Sequence, residues 1–121
     1  MSVYKRDDKK FKARLARKRD RQRATKACHA ATLRFPGLTE EDINSGSCFD
    51  WATEVFDLIE GSRIAGHNLN CVGHCWVEYK GLCYDAEHPD GVRNWLALSF
   101  WKRLKTTVGA KEFNRAVRSL Q

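Results

Sequence analysis

The chain has 121 residues, 42% of them hydrophobic, enough for one domain with a core or one domain plus a tail. Its longest unbroken apolar run, Trp95-Leu96-Ala97-Leu98, excludes a membrane span, which needs ~20 residues. The net charge of +7 is unevenly divided: residues 1–27 hold 12 Lys/Arg against 3 Asp, while residues 28–121 hold 10 Lys/Arg against 12 Asp/Glu. A nearly neutral domain over residues 28–121 behind a basic N-terminal arm over residues 1–27 is therefore expected, not a uniformly basic protein.

The arm lacks Gly and Pro and is rich in Lys, Arg and Ala, so it reads as a helix with little to bury. Its charge over residues 4–26 could neutralise nucleic acid or another polyanion in a salt-sensitive, sequence-independent way. No apolar leader segment opens the chain, which predicts a cytoplasmic protein. In that reducing setting the five cysteines are free thiols, ligands or nucleophiles rather than disulfides.

Cys28 to Leu33 reads as a transition into the domain, followed by a turn at Pro36-Gly37. Thr39 before Glu40, Glu41 and Asp42 is a helix start for a single turn. A stronger helix is predicted from Cys48 to Glu60. Ser47 is its cap, with Asp50 three residues later, and Ala52, Val55, Phe56 and Ile59 form its apolar face. Val72 to Tyr79 and Leu82 to Glu87 then form a hairpin joined at Lys80-Gly81. The expected register sets Glu78 opposite Cys83 and makes Asp85 the diagonal neighbour of His74. Val92 to Leu98 is expected to be a further strand. Phe113, Ala116, Val117 and Leu120 predict a C-terminal helix packed on the sheet.

Three residues stand out chemically. A helix N-terminus and a neighbouring imidazolium both stabilise a thiolate, and a third group must fix the imidazole tautomer. Cys48 opens a helix, His74 lies on the next expected strand, and Asp85 is placed beside it.

Gly46-Ser47-Cys48 with Phe49 and then Trp51-Ala52 resembles the nucleophile segment of papain-like and transglutaminase-like cysteine enzymes. His74-Cys75-Trp76-Val77-Glu78 resembles their His strand, and Tyr84-Asp85-Ala86 their Asp strand. The resemblance spans residues 36–100. It implies an α+β fold with a papain/transglutaminase-like core, in which the cysteine helix packs on a small antiparallel sheet. It further implies a Cys48-His74-Asp85 triad that needs no cofactor and performs acyl transfer on a protein or peptide amide, as a peptidase, isopeptidase, amidase, deamidase or transglutaminase. The papain-type glutamine ahead of the cysteine is missing. Asn44 is the nearest amide that could assist the Cys48 backbone N–H as an oxyanion donor, and Trp76 would flank the site.

A rival reading uses Cys71, Cys75, Cys83 and His88 as structural zinc ligands. An extended strand separates Cys71 from Cys75 by ~13 Å and opposes it. In that case the protein would be a nucleic-acid-binding module acting through its arm, with an inert or zinc-stabilised domain.

Overall fold

The computed structural model describes the backbone of residues 2–120 and the side chains of residues 8–120. Within that range the chain is α+β, with five α-helices, one 3₁₀ turn and a three-stranded antiparallel sheet in the order β1-β2-β3. No helix there is long and apolar enough to cross a membrane.

Helix α1 runs unbroken from Ser2 to Thr32. It carries the basic arm through the expected transition at Cys28–Leu33 and into the core. Ala24, Ala27, Cys28 and Ala31 recur at helical spacing and are buried. These small side chains let α1 lie close against the next long helix. Helix α2, Glu40–Gly46, is longer than the single turn expected. It opens with a reciprocal capping box in which Asp42 N–H donates to Thr39 Oγ1 at 3.1 Å and Thr39 N–H donates to Asp42 Oδ2 at 3.2 Å.

Helix α3, Cys48–Leu58, begins where the sequence places it, but Ser47 makes no side-chain cap hydrogen bond. Its buried face is also rotated from the expected one. Trp51, Ala52, Val55 and the following Ile59 are in the core, whereas Phe56 is 45% exposed. The Trp51 indole N–H donates to Thr32 Oγ1 at 3.0 Å, which tethers α3 to the end of α1 and turns the helix that way.

Strands β1 (Arg63–Leu69), β2 (Val72–Tyr79) and β3 (Leu82–Tyr84) form the sheet. Strand β2 has the expected limits, and Glu78 pairs with Cys83 as expected. Lys80 and Gly81, with φ of 50° and 82°, make the two-residue turn whose twist suits a hairpin. The β3 pairing ends at Tyr84, short of the expected Glu87.

The expected strand over residues 92–98 does not form. Val92 makes one isolated bridge to Cys83, and Asn94 then caps a 3₁₀ turn at Trp95–Ala97 by accepting from Leu96 N–H. The expected C-terminal helix forms as α5 (Ala110–Arg118), and a further helix that was not expected, α4 (Ser99–Val108), precedes it across Gly109.

Alternation along β2 divides the core. One face, with Val77 and Tyr79, packs with Tyr84 and Ala86 against α1 and α3. The other, with Trp76, packs with Leu69 and Cys83 against Trp101, Leu104 and Phe113 of α4 and α5.

Candidate active site

Strand β2 carries His74 and the residue just after β3 is Asp85, and the two meet as the hairpin register predicts. His74 Nε2 lies 2.9 Å from Asp85 Oδ2, and both side chains are fully buried. A carboxylate only accepts, so Nε2 carries the proton and the neutral imidazole keeps its lone pair on Nδ1. The second carboxylate oxygen, Oδ1, accepts the Glu87 backbone N–H at 3.1 Å. Asp85 thus spends one oxygen on its own turn and the other on the imidazole.

The ring plane is fixed from α4. Phe100 stacks on His74 at a centroid distance of 4.2 Å and an interplanar angle of 13°, and Trp101 presents its edge at 5.9 Å. Trp76 is 99% buried and lies 6.1 Å from the His74 ring, stacked in turn on Trp95 at 5.6 Å. It flanks the imidazole from within the core.

Cys48 is the half-buried member, at the first turn of α3 beside His74 and Cys75. Burial opposes ionisation of its thiol. The His74 imidazole and the Cys75 backbone outweigh that effect and hold the Cys48 thiol below its ordinary pKa. His74 is the complement: burial disfavours its charged form, but Asp85 first and Cys48 second raise its pKa above the ordinary value. Nδ1 is buried and has no hydrogen-bond partner. With Nε2 committed to Asp85, Nδ1 is the nitrogen left for the thiol. Such contacts are often loose in unliganded sites and tighten around a substrate.

The other cysteines differ. Burial pushes Cys28 up to about 12 and Cys83 up to about 11. Burial and the neighbouring Cys48 raise Cys75.

Asn44 is 99% buried, and its amide nitrogen donates to Glu87 Oε1 at 2.8 Å. That amide is turned to the acidic turn behind Asp85, while its Oδ1 has no partner. Arg103 of α4 grips the same Glu87 carboxylate with hydrogen bonds of 2.8 and 2.6 Å. Sequence reasoning missed Glu87, Arg103 and Phe100. Their contacts depend on α4 folding back over the sheet, and no local pattern signals that.

The alternative zinc ligands are not gathered. Cys75 and Cys83 point to opposite faces of the sheet, by the register that pairs Cys83 with Glu78. Cys71 sits exposed in the β1–β2 turn. His88 Nε2 accepts the Ser99 backbone N–H at 3.0 Å and lies 2.9 Å from its hydroxyl, which pins the start of α4. Among the described residues no three His, Cys, Asp or Glu side chains converge on a metal-sized site.

The chain matches no protein-family model, no curated protein and no solved structure. The candidate site therefore rests on its own geometry. A thiol whose pKa is lowered, an imidazole with one nitrogen free and the other on a buried carboxylate, and a helix start are the parts that nucleophilic acyl transfer uses.

Proposed function

We propose that the protein is a small cysteine-dependent acyl-transfer enzyme acting on a protein or peptide amide, with a papain/transglutaminase-like arrangement of Cys48, His74 and Asp85. One observation carries this reading. The fully buried His74–Asp85 pair leaves Nδ1 as the free base nitrogen beside a thiol whose pKa is lowered.

In the proposed reaction, His74 holds the thiol proton and the Cys48 sulfur attacks the amide carbonyl carbon. The negative charge that develops on oxygen meets the first-turn N–H groups of α3, which have no acceptor within the helix. The protonated imidazole then passes its proton to the leaving nitrogen as the C–N bond breaks, and a Cys48 thioester remains. Water or an amine, deprotonated by His74, attacks the thioester and releases the thiol. Asp85 keeps the proton on Nε2 throughout and stabilises the imidazolium. Phe100 keeps the ring in the plane of attack.

The test is amine or ammonia release from a panel of peptide amides and glutaminyl peptides, with intact-mass detection of an acyl adduct on Cys48. The wild-type chain forms the adduct and turns over. Cys48→Ala forms none while keeping its circular dichroism and melting temperature. Turnover that persists in Cys48→Ala contradicts the proposal.

A further inference from the structure

The face of α1 that packs on the domain does not stop at Ala24. Continuing toward the N-terminus at the same helical spacing, it presents Arg21, Lys18, Arg17 and Arg14. These four side chains line one wall of a cavity of about 530 Å³, and Lys80 of the hairpin turn and Arg93 line the opposite wall. Six cations thus meet across one cleft, with Asp20 as the carboxylate in its lining. Among the described residues none of the six forms an ion pair.

All six side chains are exposed, so each is hydrated, but they border one cleft rather than scattering over the surface. Here the cations of the arm face the cations of the domain. That arrangement is self-repelling until an anion lies between them.

A neighbouring cavity borders this cleft at the β2–β3 turn. This second cavity, of about 470 Å³, shares Lys80, Gly81, Leu82 and Arg93 with the first, and its lining adds the Arg63–Glu78 ion pair and half-buried Trp95, whose ring packs on Trp76 and His67. Lys80 and Arg93, shared by the two cavities, with the Trp95 indole in the second, offer phosphate contacts beside an aromatic surface. A membrane surface is flat and would not enter these cavities, and an acidic peptide has no π-face for the indole.

We infer that the cleft between α1 and the β2–β3 turn binds the sugar-phosphate backbone of single-stranded nucleic acid, with a base against Trp95. This site uses none of Cys48, His74 or Asp85, so it stands or falls apart from the proposed thiol chemistry.

The experiment is fluorescence anisotropy of a labelled mixed-sequence 12-nucleotide single strand with the full chain, over a salt series. Three proteins are compared: wild type, Lys80→Gln/Arg93→Gln, and Arg19→Gln/Arg23→Gln. The last pair lies on the arm but does not line the cleft. Each lost phosphate contact lowers the slope of log K against log salt by about 0.7 for a single strand. Lys80→Gln/Arg93→Gln is therefore expected to lower the slope by about 1.4 and to weaken binding about tenfold or more at low salt. Arg19→Gln/Arg23→Gln should stay within about twofold of wild type.

Equal losses in the two variants would make the arm an unstructured charge reservoir and overturn the site. Inorganic tripolyphosphate and phosphatidylserine vesicles are the competing probes. Displacement of the oligonucleotide by tripolyphosphate at equal phosphate concentration assigns the cleft to free polyphosphate and overturns the nucleic-acid assignment. Tighter retention on the vesicles than on the oligonucleotide overturns it in favour of a membrane surface. Weaker competition by tripolyphosphate, by about fivefold or more, supports stacking on Trp95.

Discussion

Asp85 decides what His74 can do. By accepting from Nε2 it selects the tautomer with a bare Nδ1, and replacing the carboxylate with an amide reverses that choice. Asp85→Asn would offer an N–H to Nε2 and move the imidazole proton to Nδ1. The proposed reaction should then fall by about 10³–10⁴ in kcat, while the nearly isosteric side chain leaves the fold in place. Single-turnover acylation followed by mass spectrometry, beside a thermal melt, checks both halves. Of this site, the sequence made the His74–Asp85 pairing legible because hairpin register is a local property: a two-residue turn at Lys80-Gly81 dictates which side chains share a face. It hid the role of Asn44, because a nearby amide reads as an oxyanion donor until Glu87 is seen to claim it. Glu87 itself is held below its ordinary pKa, first by Arg103 and then by Asn44, against the effect of burial. Its contribution to stability is therefore present above the ordinary carboxylate range and lost as pH falls through the lowered value. Arg103→Ala should cost about 1 kcal/mol at neutral pH, discounted because the guanidinium is 37% exposed. The difference from wild type should vanish as acid protonates Glu87, which urea melts at neutral and acidic pH would read.

At the scale of elements, β2 was legible and β1 was not, for opposite reasons. Val72–Tyr79 is rich in β-branched and aromatic residues, whereas Arg63-Ile64-Ala65-Gly66-His67-Asn68-Leu69 has weak strand propensity and is a strand because β2 supplies its partner. The turn between them places Asn70 and Cys71 at φ of 53° and 64°, a left-handed pair that favours Asn-Gly. Cys71→Gly relieves a side chain in that conformation and should stabilise the protein by about 0.5–1 kcal/mol, read as a higher urea midpoint with unchanged slope. Gly109 is the converse case. Its φ of 92° and ψ of 151° belong to glycine, and a Cβ there would meet no atom within 4 Å, so the backbone alone sets the cost. Gly109→Ala should lose about 1–3 kcal/mol in the same melts. The periodicity over residues 113–120 was helical and α5 meets it, but nothing in it announced α4 on the other side of Gly109. Helical spacing likewise misplaced Phe56, because the apolar stripe of α3 could be drawn with Phe56 or with Trp51, and the hydrogen bond to Thr32 chooses Trp51.

For the whole molecule, the charge boundary at residue 27 is not a structural one. The sequence separates a basic arm from a neutral domain, yet the helix crosses that line and lodges Ala24, Ala27, Cys28 and Ala31 in the core. Alanine carries too little hydrophobicity to register in a pattern search, although its small size is what lets two helices approach. Removal of residues 2–12 should leave the melting transition in place, whereas removal through Thr32 should abolish cooperative unfolding, as scanning calorimetry would show. If this scaffold holds an activated thiol at Cys48, iodoacetamide labelling of the native protein from pH 5 to 9, with each cysteine resolved by mass spectrometry, will reveal it. Cys48 should be modified well below the ordinary thiol pKa of ~8.5, ahead of buried Cys28 and Cys83 and of Cys75, and His74→Ala should remove this advantage. Labelling of Cys48 that is no faster than that of exposed Cys71, and indifferent to His74→Ala, would contradict an activated thiol there.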